Sequence, residues 1–151
     1  MENKALLLVE DNPHDVELTM RALRKAKIAN QVVLAEDGAE AVAYLFGEEG
    51  EDGGCPPEKL PAAVLLDLKL PKVDGHQVLR RIRAERKTRL IPVIVLTSSS
   101  EDRDIWTSYD LGANSYVRKP VKFSDFAEAM HHLGLYWLIL NRPPPDYQFK
   151  P

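Results

Sequence analysis

The sequence predicts an α/β domain built on a doubly wound parallel sheet, and three observations lead there. Five short apolar runs rich in Val, Leu and Ile recur along the chain. Helical patterns separate them, so that strand and helix alternate five times. Four of the five runs close on acidic, hydroxyl or lysine side chains, at the strand ends where sheets of this kind bind their ligands. A length of 151 residues with 44% apolar content suits one core and is short for two.

The strands are expected at Ala5 to Val9, Val32 to Ala35, Ala63 to Leu66, Pro92 to Leu96 and Ser115 to Val117, each read as buried on both faces. After Pro13, Asp15 to Ala26 repeats Val16, Met20 and Leu23 on one helical face. Gly38 to Phe46 offers Ala41, Val42, Leu45 and Phe46. Gly75 to Arg83 and Glu101 to Leu111 repeat the pattern. Ser124 is the expected N-cap of a last helix running to about Leu140, along which Phe126, Met130, Leu133, Trp137 and Leu140 form one packed face. The domain therefore covers 1–140. It is interrupted at 47–61 by an acidic, Gly- and Pro-rich segment expected to be a mobile loop, and 141–151 reads as an extended, Pro-rich tail.

Composition narrows the function. A net charge of -3 without a basic block argues against nucleic-acid binding. The apolar stretch Ala5 to Val9 is too short for a signal peptide or a membrane span, which points to a cytoplasmic protein. The one cysteine, Cys55, has no partner for an internal disulfide, and no catalytic role is expected of it. His14, His76, His131 and His132 lack the spacing of a transition-metal site and read as surface or half-buried residues.

The chemistry should gather at the strand ends. The first run leads into Glu10 and Asp11, the third into Asp67, the fourth into Thr97, and the fifth into Lys119 and Pro120. Any one acidic residue there could be merely solvated or capping a helix. Three carboxylates brought together resist ionising unless a cation neutralises them, and an oxygen-only site with few protein ligands suits Mg2+. Asp67 could then attack phosphorus, with the metal and Lys119 offsetting the charge of the transferring group and Thr97 adding a hydroxyl donor.

Four strings carry a resemblance: LLVEDN at 7–12, LLDLKLPKVDG at 65–75, VLTSS at 95–99 and SYVRKP at 115–120. In this order they resemble the receiver domains of two-component response regulators, from Lys4 to about Leu133. The resemblance implies a flavodoxin-like sheet of order 2-1-3-4-5 with helices on both faces. It implies Asp67 as phosphoacceptor for a sensor histidine kinase, Asp11 as direct Mg2+ ligand, Glu10 as a ligand through water, and the Lys69 carbonyl as a further ligand. Lys119 would contact the phosphoryl group across a cis Lys119-Pro120 peptide. Thr97 would move toward the phosphate and Tyr116 would rotate inward behind it, changing the face formed by the fourth helix, fifth strand and fifth helix. Glu10 stands where aspartate is more frequent, and Lys69 and Ser99 occupy positions that tune phosphoryl lifetime. The protein would signal through partners, without being an enzyme beyond its own phosphorylation and dephosphorylation.

The segment after the second helix and the ending YWLILNRP resemble small response regulators paired with bacterial phytochromes. Leu135 to Leu140 is apolar all round, so Leu135, Tyr136, Trp137, Ile139 and Leu140, with the fourth and fifth helices, are the expected homodimer interface; the Pro-rich tail folding back is the alternative cover. Three rivals are weaker. A haloacid dehalogenase-type phosphohydrolase wants an aspartate where Lys69 stands. A scaffold working without phosphorylation gains nothing from clustered like charge. A nucleotide-binding domain wants a glycine-rich turn where Asp11 to Asp15 stands.

Overall fold

Alternate residues of a central strand face opposite layers, so a strand covered on both sides must be apolar throughout. Leu6, Leu7, Leu8 and Val9 meet that condition, each no more than 3% exposed. The computed structural model describes residues 4–47, 54–119 and 122–145. Its strands are β1 (Leu6–Val9), β2 (Val32–Ala35), β3 (Ala63–Leu66), β4 (Val93–Thr97) and β5 (Ser115–Arg118). They form one parallel sheet in the order β2-β1-β3-β4-β5, the expected topology. The helices are α1 (Pro13–Lys25), α2 (Gly38–Phe46), α3 (Gly75–Ala84), α4 (Asp102–Asp110) and α5 (Phe123–Gly134).

The sheet divides the core in two. Leu7, Val9, Val64, Leu66, Val93 and Val95 meet Ala41 and Leu45 of α2 and Val78, Leu79 and Ile82 of α3. Leu6, Leu8, Ala63, Leu65, Ile94 and Leu96 meet Ala22 and Leu23 of α1 and Phe126, Ala127 and Met130 of α5. Burial on both faces holds for β1, β3 and β4 only. Val32 and Val33 are half-buried and Leu34 is 38% exposed, while Ser115, Tyr116 and Val117 are half-buried and Arg118 exposed. β2 and β5 are the sheet's edges, where the helical layers end, so the expectation of full burial fails there.

Local sequence sets the helix starts. The Asn12 side chain accepts from the His14 and Asp15 amides at 2.9 and 3.2 Å, with Pro13 in the first turn. Asp37 caps α2 by accepting from the Glu40 amide, and Asp74 and Gln77 form a capping box on α3. Ser124 does not cap α5. The helix begins two residues earlier than that cap implies, at Phe123, whose ring packs toward α1 under the Arg21 guanidinium at 4.4 Å, and Lys122 takes the cap position.

Two further expectations change. The last helix does not run straight to Leu140: α5 passes at Gly134 into a π-helical turn, Leu135–Leu140. The wider turn rotates the side chains beyond Gly134, so that Trp137 and Leu138 pack on the α1 side of the core and Leu140 is 61% exposed instead of facing inward. The inserted segment is also less loose than its composition suggests. Cys55 and Leu60 are buried, Pro57–Lys59 forms a 3-10 turn, and the Lys87 ammonium donates to the Cys55 carbonyl at 3.0 Å. Two apolar anchors thus hold residues 54–61 against the core; residues 48–53 lie outside the described residues. Beyond the π turn, residues 141–145 form neither helix nor strand, and 146–151 lie outside the described residues. Among the described residues no helix is long and apolar enough to cross a membrane.

Candidate functional site at the carboxyl end of the sheet

Register brings the strand ends together. Val9 pairs with Leu66, so Glu10 and Asp67 leave the sheet side by side, and the Asp67 amide donates to the Val9 carbonyl at 3.0 Å. Thr97 pairs with Arg118, and the Lys119 amide donates to the Thr97 carbonyl at 2.8 Å. Glu10, Asp67 and Thr97 are buried, 2%, 8% and 0% exposed, whereas Asp11 is open to solvent. The five side chains expected at one edge therefore do converge there.

Lys119 is the hub. Its ammonium donates to Glu10 Oε1, to Asp15 Oδ2 at 2.9 Å and to Asp67 Oδ2 at 3.1 Å. The Asn12 amide reaches Glu10 Oε2 at 3.3 Å, and the Lys69 amide reaches Asp67 Oδ1 at 3.4 Å. Asp15 was not legible as a member of this cluster, since an acidic residue in a helix's first turn is ordinarily explained by the helix dipole. Its signal was position: Asp15 sits in the first turn of α1, three residues past the Asn12 cap, and that turn starts at the carboxyl end of β1.

The charges settle unequally. Burial pushes the Glu10 carboxyl up to about 7, and the nearby Asp67 charge adds to that, against the opposing pull of Lys119. Burial also pushes Asp67 up, but the Lys119 charge and hydrogen bonds from Glu10, Lys119 and Thr97 outweigh it and hold Asp67 below the usual aspartate value. Burial pushes the Lys119 ammonium down, yet its bonds to Glu10 and Asp15 and the charges of Asp67 and Glu10 hold it above the usual lysine range. The resistance to ionisation expected of a carboxylate cluster thus falls on Glu10, and Asp67 stays an anion.

One carboxylate oxygen each from Glu10, Asp11 and Asp67 lie within 4.8 Å of one another. An oxygen-only set, open to water on the Asp11 side, fits a hard divalent cation that keeps part of its hydration shell, as Mg2+ does. Lys69 lies at the rim with its side chain exposed.

The sequence matches the response regulator receiver domain family over residues 6–131. This chain belongs to the response-regulator receiver family. The receiver is 43% identical to the probable methanogenesis regulatory protein FilR2 of Methanothrix harundinacea, over 92% of this chain and 86% of that one. It is 36% identical to the response regulator Rcp1 of Synechocystis sp., over 89% of each chain. The crystal structure of the Mn2+-bound form of Rcp1 superposes with a TM-score of 0.79 at 33% identity, covering 93% of this chain and 99% of that one. The phosphorylated cyanobacterial phytochrome response regulator RcpA superposes with a TM-score of 0.84 at 38% identity, covering 95% and 99%. A divalent metal bound in a relative and the acidic triad of this receiver agree on the cofactor class.

Around the triad, the receiver carries a hydrogen-bonded chain toward α4. The Ser99 amide approaches Thr97 Oγ1 at 3.5 Å, the Ser99 hydroxyl donates to Asp104 Oδ2 at 2.6 Å, and the Tyr116 hydroxyl donates to the Ser99 carbonyl at 2.9 Å. The buried Ser108 hydroxyl donates to the Asp104 carbonyl at 2.8 Å, and His76 Nε2 lies 3.0 Å from Ser108 Oγ, linking α3 to α4. Sequence reading singled out Thr97 and Tyr116 and missed Asp104, Ser108 and the link through His76. Only contacts between elements reveal it. The cis Lys119-Pro120 bond expected from the resemblance lies outside the described residues, because Pro120 does.

Of the residues expected to face a second copy, Leu135, Tyr136 and Leu140 are 39%, 50% and 61% exposed. Trp137 instead packs on the core and holds the Tyr136 ring edge-on at 4.9 Å; the Ile139 side chain lies outside the described residues.

Proposed function

We propose that this receiver takes a phosphoryl group from a phosphohistidine of a sensor histidine kinase onto Asp67. An Asp67 carboxylate oxygen attacks phosphorus and the phosphorus–nitrogen bond of the donor breaks. The observation that carries the reading is Asp67 itself. It is buried, held ionised below the usual aspartate value, and 3.1 Å from an ammonium at a carboxyl-end pocket. Glu10, Asp11 and Asp67, with the Lys69 carbonyl, would hold Mg2+, which offsets charge on the transferring group when bound. Lys119 contacts the phosphoryl oxygens, and Thr97 supplies a hydroxyl from the strand beside them.

Output runs through the face of α4, β5 and α5. As Thr97 moves toward the phosphoryl group, the bonds of Ser99 to Asp104 and of Tyr116 to the Ser99 carbonyl are the contacts that must rearrange, and Tyr116 turns inward. Similarity to the cyanobacterial phytochrome response regulator RcpA supports a phytochrome-type kinase as donor, which the receiver would meet in the cytoplasm. The exposed apolar side chains of α4 and the π turn support a homodimer through that face.

Intact mass after incubation with Mg2+ and acetyl phosphate tests the reading. One phosphoryl adduct is expected on the wild type, and none on Asp67→Asn or with the metal chelated. Absence of an adduct under rapid quench, with Mg2+ binding confirmed separately, would move the reading to a scaffold that works without phosphorylation.

A further inference from the structure

We infer that Asp15 is a positioning residue for Lys119: the one carboxylate that keeps the ammonium at the pocket when the other two are taken. The inference rests on the phosphoacceptor reading of Asp67. Among the described residues Lys119 has three carboxylate partners, Glu10, Asp15 and Asp67. Glu10 and Asp67 belong to the triad whose oxygens lie within 4.8 Å of one another; Asp15 does not. A cation among Glu10, Asp11 and Asp67 competes for the oxygens that Lys119 now holds, and a phosphoryl group on Asp67 consumes one of them outright. Asp15 keeps its bond to Lys119 through both events.

The fold holds Asp15 for this. Its amide donates to the capping Asn12 side chain at 3.2 Å, and its carbonyl accepts from the Thr19 hydroxyl at 2.8 Å, so the first turn of α1 is fixed on both sides. Its side chain is 28% exposed, against 10% for Lys119, so Asp15 closes the solvent side of the ammonium. A flexible lysine stem loses rotamer freedom when it is held, and a lysine already held makes its phosphoryl contact at smaller entropic cost. The competing account is local: an acidic residue in a first helical turn favours α1 through the dipole alone. That account predicts a loss of stability and nothing at Lys119.

The test compares the wild type with Asp15→Asn and Asp15→Glu at a temperature where all three are folded. With Mg2+ and no phosphodonor, nitrogen-15 NMR reads the Lys119 ammonium, assigned by its loss in Lys119→Arg. The signal is expected to persist in the wild type, to vanish into water exchange in Asp15→Asn, and to return in part in Asp15→Glu. With acetyl phosphate, Asp15→Asn is expected to lower the maximal phosphorylation rate about fivefold with KM little changed, because Lys119 acts on the transferring group. An ammonium signal that survives in Asp15→Asn overturns the inference, as does an unchanged maximal rate. Should the wild type take up no phosphoryl group, the Asp67 reading alone fails, and the NMR arm still decides whether Asp15 anchors Lys119.

Discussion

At the scale of single residues, Glu10 carries the pocket's electrostatic cost. Its carboxyl, pushed up to about 7 by burial, holds a proton in the metal-free protein across a range where an unfolded chain has released it. Stability and metal binding both respond to that proton with a definite sign. The unfolded state ionises first as pH rises from about 4.5 to 7, so the metal-free protein loses stability across that window. A cation must expel the same proton, so apparent Mg2+ affinity should fall roughly tenfold per pH unit below about pH 7 and level off above it. Asp67 titrates lower and does not enter the window. Calorimetric Mg2+ titrations at pH 5.5, 6.5 and 7.5, with thermal scans in chelator, check both; affinity that is flat with pH would place the proton elsewhere. Most of this pocket was legible in the sequence, because acidic residues that end buried apolar runs have one edge to go to. Asp15 was not, because an acidic first-turn residue has an ordinary local explanation, and its bond to Lys119 spans 104 positions of chain.

At the scale of elements, two close backbone approaches hold the pocket's walls. A Cβ on Gly75 would lie 2.3 Å from the Asp67 carbonyl oxygen and 2.5 Å from the Leu68 Cα, so the start of α3 rests directly on the phosphoacceptor's backbone. A Cβ on Gly38 would lie 1.8 Å from the Val73 carbonyl oxygen, fixing α2 against the β3–α3 loop. Both obstacles are backbone and cannot swing aside as a side-chain tip would. Gly75→Ala should therefore cost about 1–3 kcal/mol by overpacking and weaken Mg2+ binding, because the displaced segment carries Asp67 and Lys69. Gly38→Ala should lower stability with a smaller effect on the metal. Urea unfolding beside Mg2+ titration separates the two, and a Gly75→Ala protein with unchanged Mg2+ affinity would show that the shift is absorbed by α3 alone. Element order was readable because β1, β3 and β4 are apolar on two faces and the helical faces repeat at the right spacing; the caps Asn12, Asp37 and Asp74 come from the structure alone. What misled was tertiary in origin. β2 and β5 are edges, Phe123 takes the helix start from Ser124, and the π turn at Leu135–Leu140 shifts the apolar phase by a contact no local pattern records.

At the scale of the whole molecule, a Cβ on Gly134 would meet the Ile28 side chain at 2.2 Å, so α5 runs hard against the segment after α1 just where its helical turn widens. From there the chain spends Trp137 and Leu138 on its own core and leaves Leu135, Tyr136 and Leu140 outside. Trp106 and Tyr109 of α4 are 67% and 50% exposed, on the element that the Thr97 and Ser99 bonds reach. Scattered exposed apolar side chains need no explanation, but several on the two elements of a proposed output face do. A symmetric contact that covers them would bury the patch against its own copy. Light scattering should then give a dimer mass at tens of micromolar. Tyr136→Ser with Leu140→Ser should shift it to monomer and remove the dependence of the melting temperature on protein concentration, since both side chains are exposed on the single chain. Trp137→Ala, in contrast, should lower the melting temperature by removing a core side chain, whatever it does to the dimer. A wild-type monomer at those concentrations, with or without acetyl phosphate, would assign the patch to a different partner and leave the phosphoryl pocket untouched.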